Sequence, residues 1–137
     1  MITFKRNENK KLSKHFTSNE FQCKCGKCEI QYLEDSLLDK LELVREKYGK
    51  PIIITSGYRC LAHNKAIGGA INSSHVSALA LDIQPELLIL DELDDLYDVC
   101  YTIFDNIGDG RNRGFIHVDD RPAKTTGKRT WLYKWIL

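Results

Sequence analysis

The sequence predicts an α+β fold in which a small, largely antiparallel sheet is flanked by helices. Three observations predict it: two long apolar stripes at helical spacing, four short runs of strand length, and no regular alternation between the two kinds. Leu37, Leu41, Val44 and Tyr48 lie four, three and four apart, which is one face of a helix, and Gly49 with Pro51 stops it. "PIIIT" (51–55) is β-branched and reads as a buried strand. "LAHNKAIGG" (61–69) reads as a brief helix closed by its paired glycines, and "ALALDI" (78–83) as the next strand. Leu93, Leu96, Tyr97, Cys100, Ile103, Phe104 and Ile107 then predict a second amphipathic helix, from Asp91 to Gly108. "GFIHVD" (114–119) and "RTWLYKW" (129–135) are the last two strands. Upstream, "TSNE" (17–20) has the form of a capping box and predicts a short helical turn.

No repeat, low-complexity linker or composition shift divides the 137 residues. One domain over 1–137 is expected, acting as a monomer, with a cysteine-containing N-terminal arm over about 1–33. A net charge of +1 argues against nucleic acid or an anionic membrane surface as a partner. No apolar run approaches the roughly 20 residues that span a bilayer, so membrane insertion is not expected. The opening "MITFKRNENKKLSKHF" lacks the apolar core of a signal peptide, which predicts a chain that is cytoplasmic at synthesis.

Five cysteines cannot all pair internally. Cys23, Cys25 and Cys28 crowd into "CKCGKC" and Cys60 follows in "GYRC"; together they offer a tetrahedral thiolate set for structural zinc. The spacing is not a standard finger pattern, and free or partly oxidised thiols tying down an N-terminal loop are the expectation. Cys100 falls in a helical stripe and reads as a small core residue.

Alternation along the strands concentrates the chemistry. In "ALALDI", Leu79, Leu81 and Ile83 share one face, while Ala80 and Asp82 share the other. In "GFIHVD", Ile116 and Val118 face the core, while Phe115, His117 and Asp119 face away from it. His75 stands just upstream of the first strand. Two imidazoles and a carboxylate are the set a catalytic zinc uses, leaving a fourth position for a water whose pKa falls to about 7. The competing reading is a pair of hydrogen-bonded structural histidines.

"SGYR" (56–59), "HN" with "IGGA" (63–64, 67–70), "SSHVSALALD" (73–82) and "GFIHVD" occur in one order at compatible spacings. Together they resemble the zinc D-alanyl-D-alanine carboxypeptidase family of peptidoglycan peptidases, which has phage endolysin relatives and shares its fold with the hedgehog signalling domain. "LSKHFTSNEFQCKCG" (12–26) also resembles the lead-in of phage and bacterial members. The resemblance runs from about Leu12 to Arg121. It implies His75, Asp82 and His117 as ligands of one zinc. It implies Arg59 as an active-site arginine that holds substrate or stabilises developing negative charge, a task suited to a planar, always-charged fork. Ser73 matches a substrate-binding serine, with a turn-forming hydroxyl as the alternative.

Two departures from the pattern stand out. Ala78 occupies a position that is normally glycine, and it is strained if the backbone there needs positive φ. Gly114 occupies the position where many members carry an acidic base. Asp119, two residues past the last ligand, matches the base of the subgroup with "HVD", or else orients an imidazole. Asp109, in "GDGRNRG", is a weaker candidate for the base. His63 is expected to cap or pack, and His15 has no partner identifiable from sequence. Trp131, Tyr133 and Trp135 fit core packing or a cleft wall equally.

The leading expectation is a zinc metallopeptidase cleaving peptidoglycan stem peptides, as a D,D-carboxypeptidase or an endopeptidase. Asp119 and Arg59 are the candidate catalytic residues, and Arg59 and Ser73 the candidate substrate contacts. The expected absence of a signal peptide suits a phage or prophage setting, with action at the cell wall after lysis or as a virion component; a cell-wall recycling enzyme acting on imported fragments is the alternative. The alternatives are a zinc-containing module that binds cell-wall peptides without turnover, and a metal-free fold.

Overall fold

A computed structural model of the chain describes residues 1–122 and 127–133. The elements run β1 (Ile2–Lys5), a 3-10 turn (Ser18–Phe21), β2 (Ile30–Leu33), α1 (Asp35–Tyr48), β3 (Ile52–Ser56), α2 (Leu61–Ala66), β4 (Ala80–Pro85), α3 (Leu90–Ile103), β5 (Asn106–Gly110), a second 3-10 turn (Arg111–Arg113), β6 (Phe115–Asp119) and β7 (Arg129–Leu132). The predicted α+β class is what forms. β1 and β2 pair as a two-stranded antiparallel ribbon, and the other strands make a five-stranded sheet in the order β3-β4-β6-β5-β7. Every pairing is antiparallel except β5 with β7, which makes the main sheet mixed. Among the described residues no helix is long and apolar enough to cross a membrane.

α1 buries Leu37, Leu38, Leu41 and Val44, and it ends at Gly49, whose φ of 77° is the left-handed conformation glycine supplies without strain. Its stripe meets Leu96 and Cys100 of α3 and the inward face of the sheet, Leu81, Ile83, Ile107, Ile116 and Val118. The N-terminal arm belongs to this core through Phe4, Phe16 and Phe21. The capping box forms at the 3-10 turn, where the Thr17 backbone N–H donates to Glu20 Oε2 at 2.7 Å.

Three expectations need correction. β3 is an edge strand rather than a fully buried one, and it turns Ile53 outward. The ribbon of β1 and β2 was not among the predicted elements; each of its strands is only four residues long. α3 stops at Ile103, and Ile107 lies in a strand between β6 and β7 instead of on the helix. Phe104 and Ile107 fit a helical period, but Phe104 takes extended backbone (ψ 148°) ahead of the strand that holds Ile107, and both residues are fully buried. Leu79 lies just before β4 and is half-buried, whereas Leu81 and Ile83 point inward as alternation requires.

Ala78 does adopt positive φ, at 61°, and it is buried. The turn is anchored on both sides, by the Ala78 N–H to the His75 carbonyl (3.2 Å) and by the Glu34 N–H to the Ala78 carbonyl (3.0 Å). Left-handed backbone costs a residue with a Cβ about 1–2 kcal/mol, partly offset in a glycine variant by greater freedom of the unfolded chain. Ala78→Gly is therefore expected to raise unfolding free energy by up to about 1 kcal/mol. Denaturant titration checks this, and a loss of stability would contradict the strain.

Candidate metal centre

Strand register builds the centre. β4 and β6 pair so that Asp82 lies directly opposite His117 and Ala80 opposite Asp119. Directly opposed residues on one sheet face have Cβ atoms about 4.5–5.5 Å apart, so the pair is in contact by construction. On the other side of β6, His117 faces Gly108 of β5. A Cβ at Gly108 would come within 2.6 Å of the Tyr133 ring and 2.8 Å of Trp131 Nε1, so glycine leaves room for these rings beside the histidine. Trp131 and Tyr133 thus form a cleft wall, with centroids 5.4 and 6.4 Å from the His117 ring. Trp135 lies outside the described residues.

The loop before β4 delivers His75, which is buried. Its Nδ1 donates to the Gly57 carbonyl at 2.8 Å, and its backbone N–H donates to Ser73 Oγ at 3.2 Å. Its own carbonyl accepts the Arg59 N–H at 3.2 Å. A register shift in β3 between Ile54 and Ser56 sends the chain from the sheet edge into this "SGYR" turn.

His75, Asp82 and His117 each place one ligand atom within 4.8 Å of the other two. Asp82 Oδ1 lies 2.9 Å from His117 Nδ1 and 3.3 Å from His75 Nε2. Hydrogen-bond partners constrain what these atoms are. A carbonyl can only accept, so the His75 proton sits on Nδ1 and Nε2 presents a lone pair. His117 Nε2 lies 2.9 Å from Asp119 Oδ2 and its Nδ1 lies 2.9 Å from Asp82 Oδ1, so a proton kept on Nε2 by Asp119 leaves the Nδ1 lone pair turned inward. In that tautomer three acceptors converge, and His75 Nε2 is buried without a hydrogen-bond partner among the described residues. Acceptors repel unless a cation lies between them. The donor set fits a zinc ion, which takes imidazole nitrogen and carboxylate oxygen and needs deprotonated ligands.

The electrostatics agree. Burial raises the Asp82 pKa, but the His117 and His75 imidazoles outweigh it and hold the carboxyl well below the ordinary range. Burial lowers the His117 pKa, but Asp119 and Asp82 on either side of the ring outweigh it and raise it above 6.5. In the metal-free chain a proton on His117 thus competes with the cation. Apparent zinc affinity at this centre is expected to climb about tenfold per pH unit from this one proton until pH passes the raised value, then to level off. Metal titrations across pH check the sign, and affinity that falls over that window would contradict it.

Arg59 Nη2 lies 3.5 Å from Asp82 Oδ2, while its Nε donates to Ser56 Oγ at 3.2 Å and its Nη1 to Asn64 Oδ1 at 3.4 Å. Asp119 is fully buried behind His117, with Arg121 Nε 3.0 Å from Oδ1 and Arg121 Nη2 3.0 Å from Oδ2. Burial raises the Asp119 pKa, and His117 with Arg121 lowers it further than that. A cavity of about 540 Å³ opens over the centre, with Arg59, Ser73, Arg113, Arg121, Trp131 and Tyr133 among its lining.

Asp109 points elsewhere. It lies one residue out of phase with Gly108, and its carboxylate is held by Arg111 at 2.7 Å. Gly114 has φ of 83° and ends the second 3-10 turn. His63 stays at α2, where its backbone N–H donates to Cys60 Sγ. His15 does have a partner, Glu42 Oε2 at 2.7 Å. Arg121 and Gly57 are the residues that sequence reasoning missed. Arg121 was accessible in principle, since it follows Asp119 by two along extended chain and shares its face. Gly57 acts through its carbonyl, which leaves no side-chain signal.

The model of the family described as Peptidase M15 matches residues 14–119. A comparison with curated proteins finds none that matches. The matched span runs from the N-terminal arm to the end of β6 and takes in all three converging side chains. The chain belongs to the peptidase M15 family of zinc-dependent metallopeptidases.

Proposed function

We propose that this metallopeptidase hydrolyses the stem peptides of peptidoglycan, as a D,D-carboxypeptidase or an endopeptidase, with His75, Asp82 and His117 holding its catalytic zinc. The observation that carries the reading is the convergence of three lone-pair donors beneath a cavity rimmed by arginine and aromatic side chains. Zinc held there supplies Lewis-acid polarisation of the scissile carbonyl and a water acidified to near neutrality. Arg59, braced by Ser56 and Asn64 beside the outer oxygen of Asp82, presents a fixed positive charge to a substrate carbonyl or terminal carboxylate. Ser73 supports His75 through its hydroxyl and offers substrate a polar contact from the cavity wall. Trp131 and Tyr133 provide a flat apolar wall against which a short peptide packs. A phage or prophage lytic role rests on the resemblance of the N-terminal stretch.

Of the two roles open to Asp119, orienting His117 is the one its position supports. It sits behind the imidazole, bound to Nε2, and not on the cavity side. Asp82 is then the one carboxylate among the described residues that line the cavity. That scarcity favours a second reading, a zinc-containing module that binds cell-wall peptides without cleaving them. Digesting defined muropeptides with the zinc-loaded and the chelator-stripped protein, with products identified by mass, separates the two. Zinc-dependent release of D-alanine or of a stem fragment is expected. Retention of muropeptides without any new product would select the binding module, and neither cleavage nor retention would defeat both readings.

A further inference from the structure

A second group of converging side chains lies away from the cleft. Cys23, Cys25 and Cys28, in the loop between the first 3-10 turn and β2, meet Cys60, which caps the N-terminus of α2. Their four sulfurs lie within 4.8 Å of one another, and all are free thiols. The Cys23 and Cys60 sulfurs are 3.8 Å apart. A disulfide needs about 2.05 Å. A tetrahedron with Zn–S bonds of about 2.3 Å has sulfur–sulfur edges of about 3.8 Å.

N–H donors surround the group. Cys25 Sγ receives the Lys27 and Cys28 N–H groups, both at 3.3 Å. Cys23 Sγ receives the Cys60 N–H at 3.4 Å, and Cys60 Sγ receives the His63 N–H at 3.4 Å. Cys28 Sγ receives Gln31 Nε2 at 3.3 Å, from a side chain that is completely buried and whose oxygen accepts the Cys23 N–H. Arg6 reaches in from the end of β1. Its Nη2 lies 3.3 Å from Cys28 Sγ and 3.5 Å from Cys25 Sγ, and the same guanidinium donates to the Cys23 and Cys28 carbonyls. Every sulfur thus has at least one N–H donor aimed at it, and the nearest charged group is a cation. Four thiolates cannot share so small a volume without a cation at their centre. A divalent ion leaves net charge −2, which Arg6 partly neutralises.

We propose that Cys23, Cys25, Cys28 and Cys60 bind a structural zinc ion that fastens the N-terminal arm to the "SGYR" segment. Binding forms four Zn–S bonds and releases the thiol protons to solvent, without any redox change. All four positions are filled by protein, so this ion has no open site for substrate. Its consequence is mechanical. Cys60 follows Arg59 directly, so the clamp fixes the backbone that carries the arginine of the cleft. The proposal does not depend on the hydrolytic reading.

The test uses the full chain, purified under reductant and loaded with zinc or with cobalt(II). His117→Ala should retain one zinc per chain by elemental analysis, with all four thiols protected from a thiol reagent until a strong chelator is added. Cys25→Ser in that background should lose the zinc. The cobalt(II) form of the unaltered chain should show thiolate-to-cobalt charge-transfer absorption, a readout that needs no variant to fold. Absence of that absorption would overturn the proposal, as would four freely reactive thiols in the zinc-loaded protein, or stoichiometric iron in place of zinc.

Discussion

Replacing His117 with alanine is expected to abolish zinc-dependent hydrolysis. The substitution removes one of three inward lone pairs, and with it the ring that Asp119 holds in place. Loss of a mere outer partner of a metal-bound histidine costs about 10–100-fold in affinity or activity. Loss of the ligand itself should exceed the top of that range, leaving activity at the level of a chelator-treated sample. A second consequence is structural. Asp119 is fully buried and keeps only Arg121 once the imidazole is gone. Leaving a buried carboxylate short of a donor costs about 1–3 kcal/mol, so the variant should also unfold at lower denaturant. Muropeptide digestion and denaturant titration read the two effects separately. Unchanged zinc-dependent cleavage would sink the ligand assignment, whatever the stability.

Gly57→Ala should damage the same centre from a distance. A Cβ built at Gly57 falls 2.5, 2.8 and 2.9 Å from the backbone oxygen, Cα and carbonyl carbon of Phe21. These are main-chain atoms of the first 3-10 turn, tied to the loop by the Tyr58 N–H to the Phe21 carbonyl at 2.9 Å, so no rotamer change relieves the clash. Forcing extra volume into such a contact costs about 1–3 kcal/mol. The loop must move, and it carries both the carbonyl that fixes the His75 tautomer and, two residues on, Arg59. Catalysis should therefore fall by more than the stability loss explains, with the circular dichroism spectrum retained. Full activity in this variant would show that the Gly57 carbonyl is not what aims His75.

Much of this molecule was legible in its order of residues. Helical spacing located α1 and its glycine stop, because one apolar stripe has to find a core and no other local conformation presents it on one side. Two-residue alternation put Asp82 and His117 on outward faces of two strands, because the pleat leaves no other choice. The alanine at position 78, where the family pattern has glycine, could be marked as strained on the condition of a positive φ, which the backbone meets at 61°. Where periodicity was ambiguous the reading failed: Phe104 and Ile107 satisfy a helix as well as a strand, and only the vacant lane between β6 and β7 decides between them.

The pairing of strands is another matter. That β4 meets β6 with Asp82 opposite His117, and not one residue along, depends on which buried surfaces fit across the whole sheet. A slip of one residue would have sent the imidazole into the core. The His75 lone pair was also aimed remotely, by the Gly57 carbonyl eighteen residues away in the chain. Sequence by itself named the side chains able to hold a metal and the faces they occupy, since those follow from local backbone geometry. Only the tertiary structure decided that their acceptor atoms point at one another, since hydrogen-bond partners are chosen by distance in space and not along the chain.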